Sequence, residues 1–437
     1  MKQNKGQKET EEKKQVLVQA PLGMNDILPA EQKYWNFAIG QMEDLAKYFG
    51  YKKIVTPIIE YQDLFTRSIG RVTDIVEKEI FEIKQKRETK LALRPEFTAG
   101  IVRSYIENGM KNRAKPVRFY SFGPIFRYSK PQKGRFREFW QFNVEALGSC
   151  SAGQDVEVIL LCWDIFEKLG LKNLTLQINS IGCPNCRPEY LSLLKEYYRP
   201  YRRRLCADCK RRFSKNPLRL LDCKEARCKE VADKAPQIID YLCPDCHSHF
   251  KSVLEFLDEL DISYVLNLRL VRGLDYYTKT VFEIWPEKEG GNLSLGGGGR
   301  YDLLVEELGG DPTCACGFAI GLERIISELK NQRIDVKEER KPKVMLVQLG
   351  EIAKRKSLPL FEKLRKQGIR VLAIFGKDSV RGQLSVANKN KVTLALILGE
   401  KEALEGSIII RDMQSGSQET VSQNRIVEEI KKRLKED

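Results

Sequence analysis

Apolar residues recur at helical spacing from Glu31 onward: Trp35, Ala38, Ile39, Met42, Leu45, Ala46 and Phe49 fall on one side of a 3.6-residue repeat, with Gly50 placed to end it. This spacing predicts one long amphipathic helix. Residues 53–60 follow, β-branched but holding Pro57, and a residue without an N–H confines such a strand to an edge or an interface. Two strand-like stretches, 117–122 and 138–144, flank a basic loop at 128–134 that carries Pro and Gly, which predicts an antiparallel hairpin with a long tip. A helix over 153–169 and a strand over 174–179 come next. Strand character returns at 265–270 and 280–285, ahead of a glycine-rich run at 290–299.

Beyond residue 343 the pattern changes. Strand-like 344–347, 371–374 and 394–397 alternate with helix-like 352–367, 379–389 and 424–435, which predicts a small parallel or mixed α/β domain. The charged stretch 331–342 reads as a linker to it. Residues 1–15 have too few apolar positions to offset chain entropy and read as a disordered tail. Between 183 and 262 the composition shifts to Cys, Arg, Lys and Tyr, the mark of an inserted module. The resulting layout is a core over 16–182 and 263–330, the module at 183–262, and the C-terminal domain at 343–437. The fold class is α+β.

At 437 residues, 42% hydrophobic and 31% charged, the chain has material for two or more domains. No apolar run approaches the roughly 20 residues of a membrane span, and the start is polar with mixed charge, so neither membrane nor export is indicated and the expected location is cytoplasmic. Histidine restricts the chemistry most. The only two, His247 and His249, lie in one cysteine-bearing stretch, which leaves a histidine-based hydrolase little to work with. The net charge of +15 is uneven: residues 187–229 hold 14 Lys/Arg against 5 Asp/Glu, and 341–437 hold 20 against 12. Two basic segments around a near-neutral body suggest a polyanion bridging both, nucleic acid above all, with a merely solubilising surface charge as the alternative.

Eight of the twelve cysteines form four close pairs: Cys183 with Cys186, Cys206 with Cys209, Cys223 with Cys228, and Cys243 with Cys246. Two such pairs complete a tetrahedral all-thiolate site, so two structural zinc ions are arithmetically possible, with disulfides and bare thiols as the other readings. His247 and His249 could stand in as ligands. Spacing does not say which pairs combine.

Neither a phosphate-binding loop of the Gly-x4-Gly-Lys-Ser/Thr type nor a Gly-x-Gly-x-x-Gly turn after a strand occurs. Arginines stand instead in strand-like segments with aromatic residues: Arg127, Arg135, Arg137, Arg272 and Arg324. Taken singly, each reads as an ordinary ion pair on a sheet surface. Taken together with their order, they resemble something specific. Thr56-Pro57 through Glu60, Phe126-Arg127 with its loop, and Gly317 through Arg324 resemble the three motifs of class II aminoacyl-tRNA synthetases. The segments 270–283 and 296–304 resemble the two motifs peculiar to the histidyl-tRNA synthetase family, and Arg94 through Gly100 and Gln141 through Glu145 fit its amino-acid pocket.

That resemblance implies an antiparallel class II catalytic sheet, a C-terminal anticodon-binding domain, and ATP-dependent activation of histidine followed by transfer to tRNA(His). It implies that Arg127 holds the α-phosphate and histidine carboxylate, that Arg272 stabilises charge at the α-phosphate, and that Arg135, Phe139 and Arg324 serve ATP, with Mg2+ bridging its phosphates. It gives Glu145 and Tyr277 to the two imidazole nitrogens, Tyr276 and Tyr301 to the pocket walls, and Glu96, Thr98 and Gln141 to the α-amino group. A homodimer through the first helix and the Pro57 strand is implied too, as is an acceptor-stem role for the inserted module. Two positions depart from the family pattern: Ser129 replaces an acidic residue and Phe97 a glycine. The rival readings are the catalytically silent regulatory subunit of ATP phosphoribosyltransferase, which lacks the C-terminal domain and the Arg272–Tyr277 string, and a zinc-stabilised RNA-binding protein.

Overall fold

Burial selects the first helix. Trp35, Ala38, Met42 and Ala46 recur every three to four residues on its inner face, and the helix runs Gln32–Tyr48. Gly50, with φ at +80°, ends it: its N–H bonds the Lys47 carbonyl (2.9 Å) and that of Tyr51 the Ala46 carbonyl (2.9 Å), the paired bonds of a Schellman stop. The computed structural model describes residues 18–70, 73, 75–84, 89–132, 134–287, 293–337, 342–376 and 379–434; the expected tail at 1–15 lies outside them. It divides into two units, Met1–Val336 and Lys337–Asp437.

An eight-stranded sheet organises the first unit. Its spatial order is Lys52–Lys53, Val117–Phe126, Glu138–Leu147, Ala315–Gly321, Gly296–Arg300, Thr278–Pro286, Leu174–Ser180 and Tyr264–Leu266. The inner pairings are antiparallel and the two edge strands join in parallel. The expected hairpin is at its heart, pairing Val117 with Leu147 through Phe126 with Glu138. Helix Ala152–Lys168, capped by Ser151, buries Val156, Ile159, Ile165 and Phe166 in the same core as the first helix.

Two strands depart from the pattern expected of them. The single strand over 53–60 is split in two, Lys52–Lys53 on the large sheet and Ile59–Tyr61 on a three-stranded sheet with Leu91–Leu93 and Phe81–Ile83. Pro57 falls in the break, where it has no N–H to give a ladder and where the Thr56 carbonyl is taken by Arg94 (3.0 Å). The strand over 265–270 stops at Leu266, because Asn267 folds back: its side chain accepts the Arg269 N–H (3.2 Å) and its carbonyl the Leu270 N–H (2.8 Å).

The cysteine-rich stretch forms four α-helices, Arg187–Tyr198, Ala207–Lys215, Ala226–Ala232 and Pro244–Glu259, with short 3-10 turns between the last three. The last packs Phe250, Val253 and Leu257 into the main core, so this stretch is tied to the eight-stranded sheet through apolar contact. The second unit is a mixed sheet ordered Val371–Ala373, Val344–Gln348, Leu394–Leu398, Ser407–Asp412 and Gln418–Ser422, parallel over the first three strands and antiparallel after them. Helices Glu351–Lys366, Val380–Lys389 and Ile426–Arg433 match the expected ones. The last two strands were not foreseen, since Ser407–Asp412 is followed by a polar, solvent-facing partner with no alternation to read. Among the described residues no helix is long and apolar enough to cross a membrane.

Candidate active site

Successive side chains of a strand point to opposite faces, so Phe139, Gln141, Asn143 and Glu145 share one face of Glu138–Leu147. All four line a cavity of about 800 Å³. Beside them the strand Ala315–Gly321 sets Gly317 against Glu145 and Gly321 against Gln141, and the all-glycine stretch 296–299 comes next. The missing side chains make the floor. A Cβ on Gly317 would overlap the Glu145 carboxylate, and one on Gly298 would meet the backbone of Gly317.

One end of the cavity is acidic and aromatic. Glu145 is fully buried and accepts from the hydroxyls of Thr98 (2.5 Å) and Tyr301. Burial pushes its carboxyl up to about 8, against the lowering effect of those two hydroxyls, and the nearby Glu96 adds to the rise. Glu96 stands at the start of helix Thr98–Glu107 and accepts the backbone N–H groups of Thr98 (2.8 Å) and Ala99 (2.7 Å). Burial outweighs these bonds and raises it as well. The Tyr276 hydroxyl reaches Glu96 at 3.4 Å, and the Tyr276 ring lies 4.8 Å from Tyr277 and 5.6 Å from Tyr301. Two carboxyls within a box of three phenols suit a small planar ring that carries N–H groups.

The other end is basic. Arg127 donates to the Pro95 carbonyl (2.9 Å) and lies over the Phe139 ring at 5.6 Å. Arg324 donates to the Ser294 carbonyl (2.7 Å). Burial pulls both guanidiniums down, Arg324 to about 10 with Arg135 and Arg127 adding repulsion, and among the described residues no carboxylate lies within ion-pair distance of either. Two guanidiniums lining a cavity with no carboxylate in contact with either are poised to take an anion. Arg272 is paired with Glu283 and lies over Tyr277 at 5.5 Å. Burial disfavours its charge, but Glu283 and Tyr277 more than offset that, and its pKa is raised.

Every residue expected to hold histidine or ATP lines this one cavity: Glu96, Thr98, Arg127, Arg135, Phe139, Gln141, Glu145, Arg272, Tyr276, Tyr277, Tyr301 and Arg324. Ser129 lines it also. Phe97 does not; it is buried in the core with the Arg94 guanidinium 4.2 Å from its ring. Thr98 is engaged by Glu145 rather than facing an open amine site.

The eight paired cysteines gather as two sets, Cys183, Cys186, Cys243 and Cys246, and Cys206, Cys209, Cys223 and Cys228. Sulfur pairs stand 3.7 Å apart for Cys183 with Cys186 and with Cys243, 3.9 Å for Cys186 with Cys246, and 3.8 Å for Cys206 with Cys223. A tetrahedron of four sulfurs around zinc, with bonds of about 2.3 Å, has an edge of about 3.8 Å, so the thiols fit such an ion and are too far apart for disulfides. Backbone N–H groups of Asn185 and Cys209 point at the sulfurs of Cys183 (3.4 Å) and Cys206 (3.4 Å). Neither histidine belongs to a set, which corrects that expectation. His249 Nε2 is instead 2.8 Å from the Asp155 carboxylate. Cys206 and Cys223 of the second set lie on the rim of the cavity, with Arg212, Arg219, Lys224 and Arg227.

The partners of several further residues could not be read from the sequence, although Glu283, Arg300 and Asp302 lie within the 270–283 and 296–304 segments. Glu283 pairs with Arg272 across strand Thr278–Pro286, and Arg300, wholly buried, is held by Asp155 and Asp302. Cys150 and Cys314, 164 positions apart, are joined by a disulfide beside the same strands. Only spatial proximity reveals these partners.

Comparison with known proteins bears on the same residues. Residues 23–185 and 211–325 match a family model described as histidyl-tRNA synthetase, and 343–433 one described as anticodon binding domain. A histidine–tRNA ligase of Dehalococcoides mccartyi is 47% identical over 418 residues, spanning 96% of this chain and 100% of that protein. One from Desulforamulus reducens is 44% identical over 418 residues, again 96% of this chain and 100% of that protein. Among solved structures, the apo histidyl-tRNA synthetase of S. aureus superposes with a TM-score of 0.78 at 34% identity, covering 94% of this chain and 99% of that one.

Proposed function

The chain belongs to the histidyl-tRNA synthetase family, and from that premise we propose how its own residues carry out the two steps of the family's reaction. It is a histidine–tRNA ligase with a C-terminal anticodon-binding domain. In the first step a carboxylate oxygen of histidine attacks the α-phosphorus of ATP and pyrophosphate leaves. In the second a hydroxyl of the terminal ribose of tRNA(His) attacks the acyl carbon and AMP leaves.

Glu145 accepts from one imidazole N–H and Tyr277 meets the other nitrogen, with Tyr276 and Tyr301 closing the walls. Gln141 and Glu96 take the α-amino group, and Thr98 holds Glu145 in place. A ring that leaves these buried groups unpaired is rejected. Arg127 and Arg272 bind the reacting carboxylate and α-phosphate, where negative charge accumulates in the transition state, and fixed cations in a dry site stabilise that charge without reorganising. ATP enters as its Mg2+ complex, with Phe139 stacking on adenine and Arg135 and Arg324 on the outer phosphates.

The observation that carries this reading is the convergence of all twelve residues on one cavity with an acidic, phenolic end and an arginine end. Histidine-dependent exchange between ATP and pyrophosphate, without tRNA, tests it. Wild type should exchange with histidine alone among the amino acids, and Arg272→Ala should lower the rate about 100- to 1000-fold. Exchange that persists in the variant would remove Arg272 from the chemical step.

The two cysteine sets hold structural Zn2+, one ion each, as cross-links that supply no reaction chemistry. The supporting fact is the sulfur spacing. A homodimer is proposed from the exposed apolar run about Pro57, where Val55 is 78% and Tyr61 62% accessible. A cytoplasmic location is proposed from the ten free thiols, eight of them in the two sets, against the single Cys150–Cys314 disulfide.

A further inference from the structure

The segment from Val271 to Tyr277 carries Arg272, Tyr276 and Tyr277 but forms no helix or strand of its own. Backbone without a ladder has to be fixed from outside, and a displacement of about 1 Å at a reacting group is costly. On one side the Asp275 N–H reaches the Ile69 carbonyl (3.1 Å). Side chains tie it to the large sheet and to the start of helix Thr98–Glu107, Arg272 to Glu283 and Tyr276 to Glu96 (3.4 Å), and the cysteine-rich stretch supplies two more ties. Arg187 donates to the Tyr277 carbonyl (2.6 Å), and Asn216 donates to the Asp275 carboxylate (2.6 Å).

Each of these side chains lies beside one cysteine set or within the span of chain it encloses. Arg187 directly follows Cys186 and opens helix Arg187–Tyr198; its guanidinium also bonds the carbonyls of Gly182 (3.3 Å) and Ile181 (3.4 Å), just ahead of Cys183. Asn216 ends helix Ala207–Lys215, midway between Cys209 and Cys223, inside the loop that the second set would close. The helices here are 12, 9 and 7 residues long, too short to persist unaided. Their apolar residues Tyr190, Leu194 and Tyr198, with Leu220 beside them, share a core with Tyr276 and Tyr277. By contrast, Arg127, Phe139 and Arg324 stand on the sheet hairpin and on helix Leu322–Asn331, elements built independently of these ties.

We infer that the two four-cysteine centres anchor the 271–277 segment, with Arg187 and Asn216 as positioning residues that transmit metal occupancy to the histidine pocket. The inference rests on the zinc and histidine readings above. It makes the cysteine-rich stretch a brace for amino-acid activation, a role that needs no tRNA.

The test compares equilibrium binding of histidine and of ATP, each alone, to full-length protein, beside its zinc content. Arg187→Ala and Asn216→Ala should each raise the histidine dissociation constant about tenfold, the size of one hydrogen bond to a charged group, and that of ATP by no more than about threefold, since Arg272 alone of the ATP-binding residues stands on this segment. Arg187→Lys, which keeps one donor for the Tyr277 carbonyl, should recover part of the loss. Stripping zinc with a chelator should produce the same split, reversed by zinc alone. Parallel loss of both ligands, as from general loosening, or unchanged histidine affinity in both alanine variants, would overturn the proposal. So would wild type that binds histidine without zinc. A wild type that fails to bind histidine at all strikes instead at the reading of the cavity, and is told apart by its zinc content.

Discussion

Glu145 holds its proton up to about 8 in the ligand-free protein, whereas its ordinary value is 4.5. Between those values the folded state binds a proton that the unfolded chain has released, so this group's contribution favours folding at low pH and is lost as pH rises through the window. Glu145→Gln removes the titration. The variant should therefore melt several degrees higher than wild type at pH 8 without histidine, with the difference shrinking toward pH 5, and histidine binding should fall at least about 100-fold. Melting curves across pH with a histidine titration check both halves; a variant less stable at pH 8 would contradict the assignment. Glu145 could be named from its motif. Its protonation could not, since that arises from burial by elements distant in sequence, with Glu96 adding to it.

At the level of elements, one buried network ties three of them. Arg300 ends the glycine strand, Asp155 opens helix Ala152–Lys168, and His249 stands on helix Pro244–Glu259. Burial alone would raise Asp155, yet His249 and Arg300 hold its carboxyl below the usual range. Removing the cation should leave a buried charge uncompensated: Arg300→Met is expected to cost about 3–5 kcal/mol, and adding Asp155→Asn should recover part of that. Denaturant unfolding of the single and double variants measures the coupling. Periodicity made the long helices and the hairpin readable, because one side of each faces a core. The Pro57 break and the end at Leu266 depended on carbonyls and side chains claimed by distant or local partners, which alternation of polarity does not record.

For the whole molecule, charge predicts a division of labour. Residues 187–229 carry a net +9 and 341–437 a net +8, suited to phosphates along a nucleic acid. Transfer to tRNA(His) should weaken steeply between about 50 and 200 mM salt, while pyrophosphate exchange, which uses buried cations, should change little. Rate measurements of both reactions in one salt series would show it. Equal sensitivity would mean that the basic segments act on the activation step instead.

The long helices, the hairpin, the basic segments, the cysteine pairs and the identities of the expected pocket residues were legible along the chain, because each depends on local composition or on motif. Which cysteine pairs combine, that the histidines stand apart from them, and that Arg187 and Asn216 reach the catalytic segment were decided only by the tertiary structure. Those contacts join residues about 60 to 90 positions apart. Folding brings them within bonding distance through burial of a shared apolar core, and no spacing rule anticipates which polar groups that burial leaves facing one another.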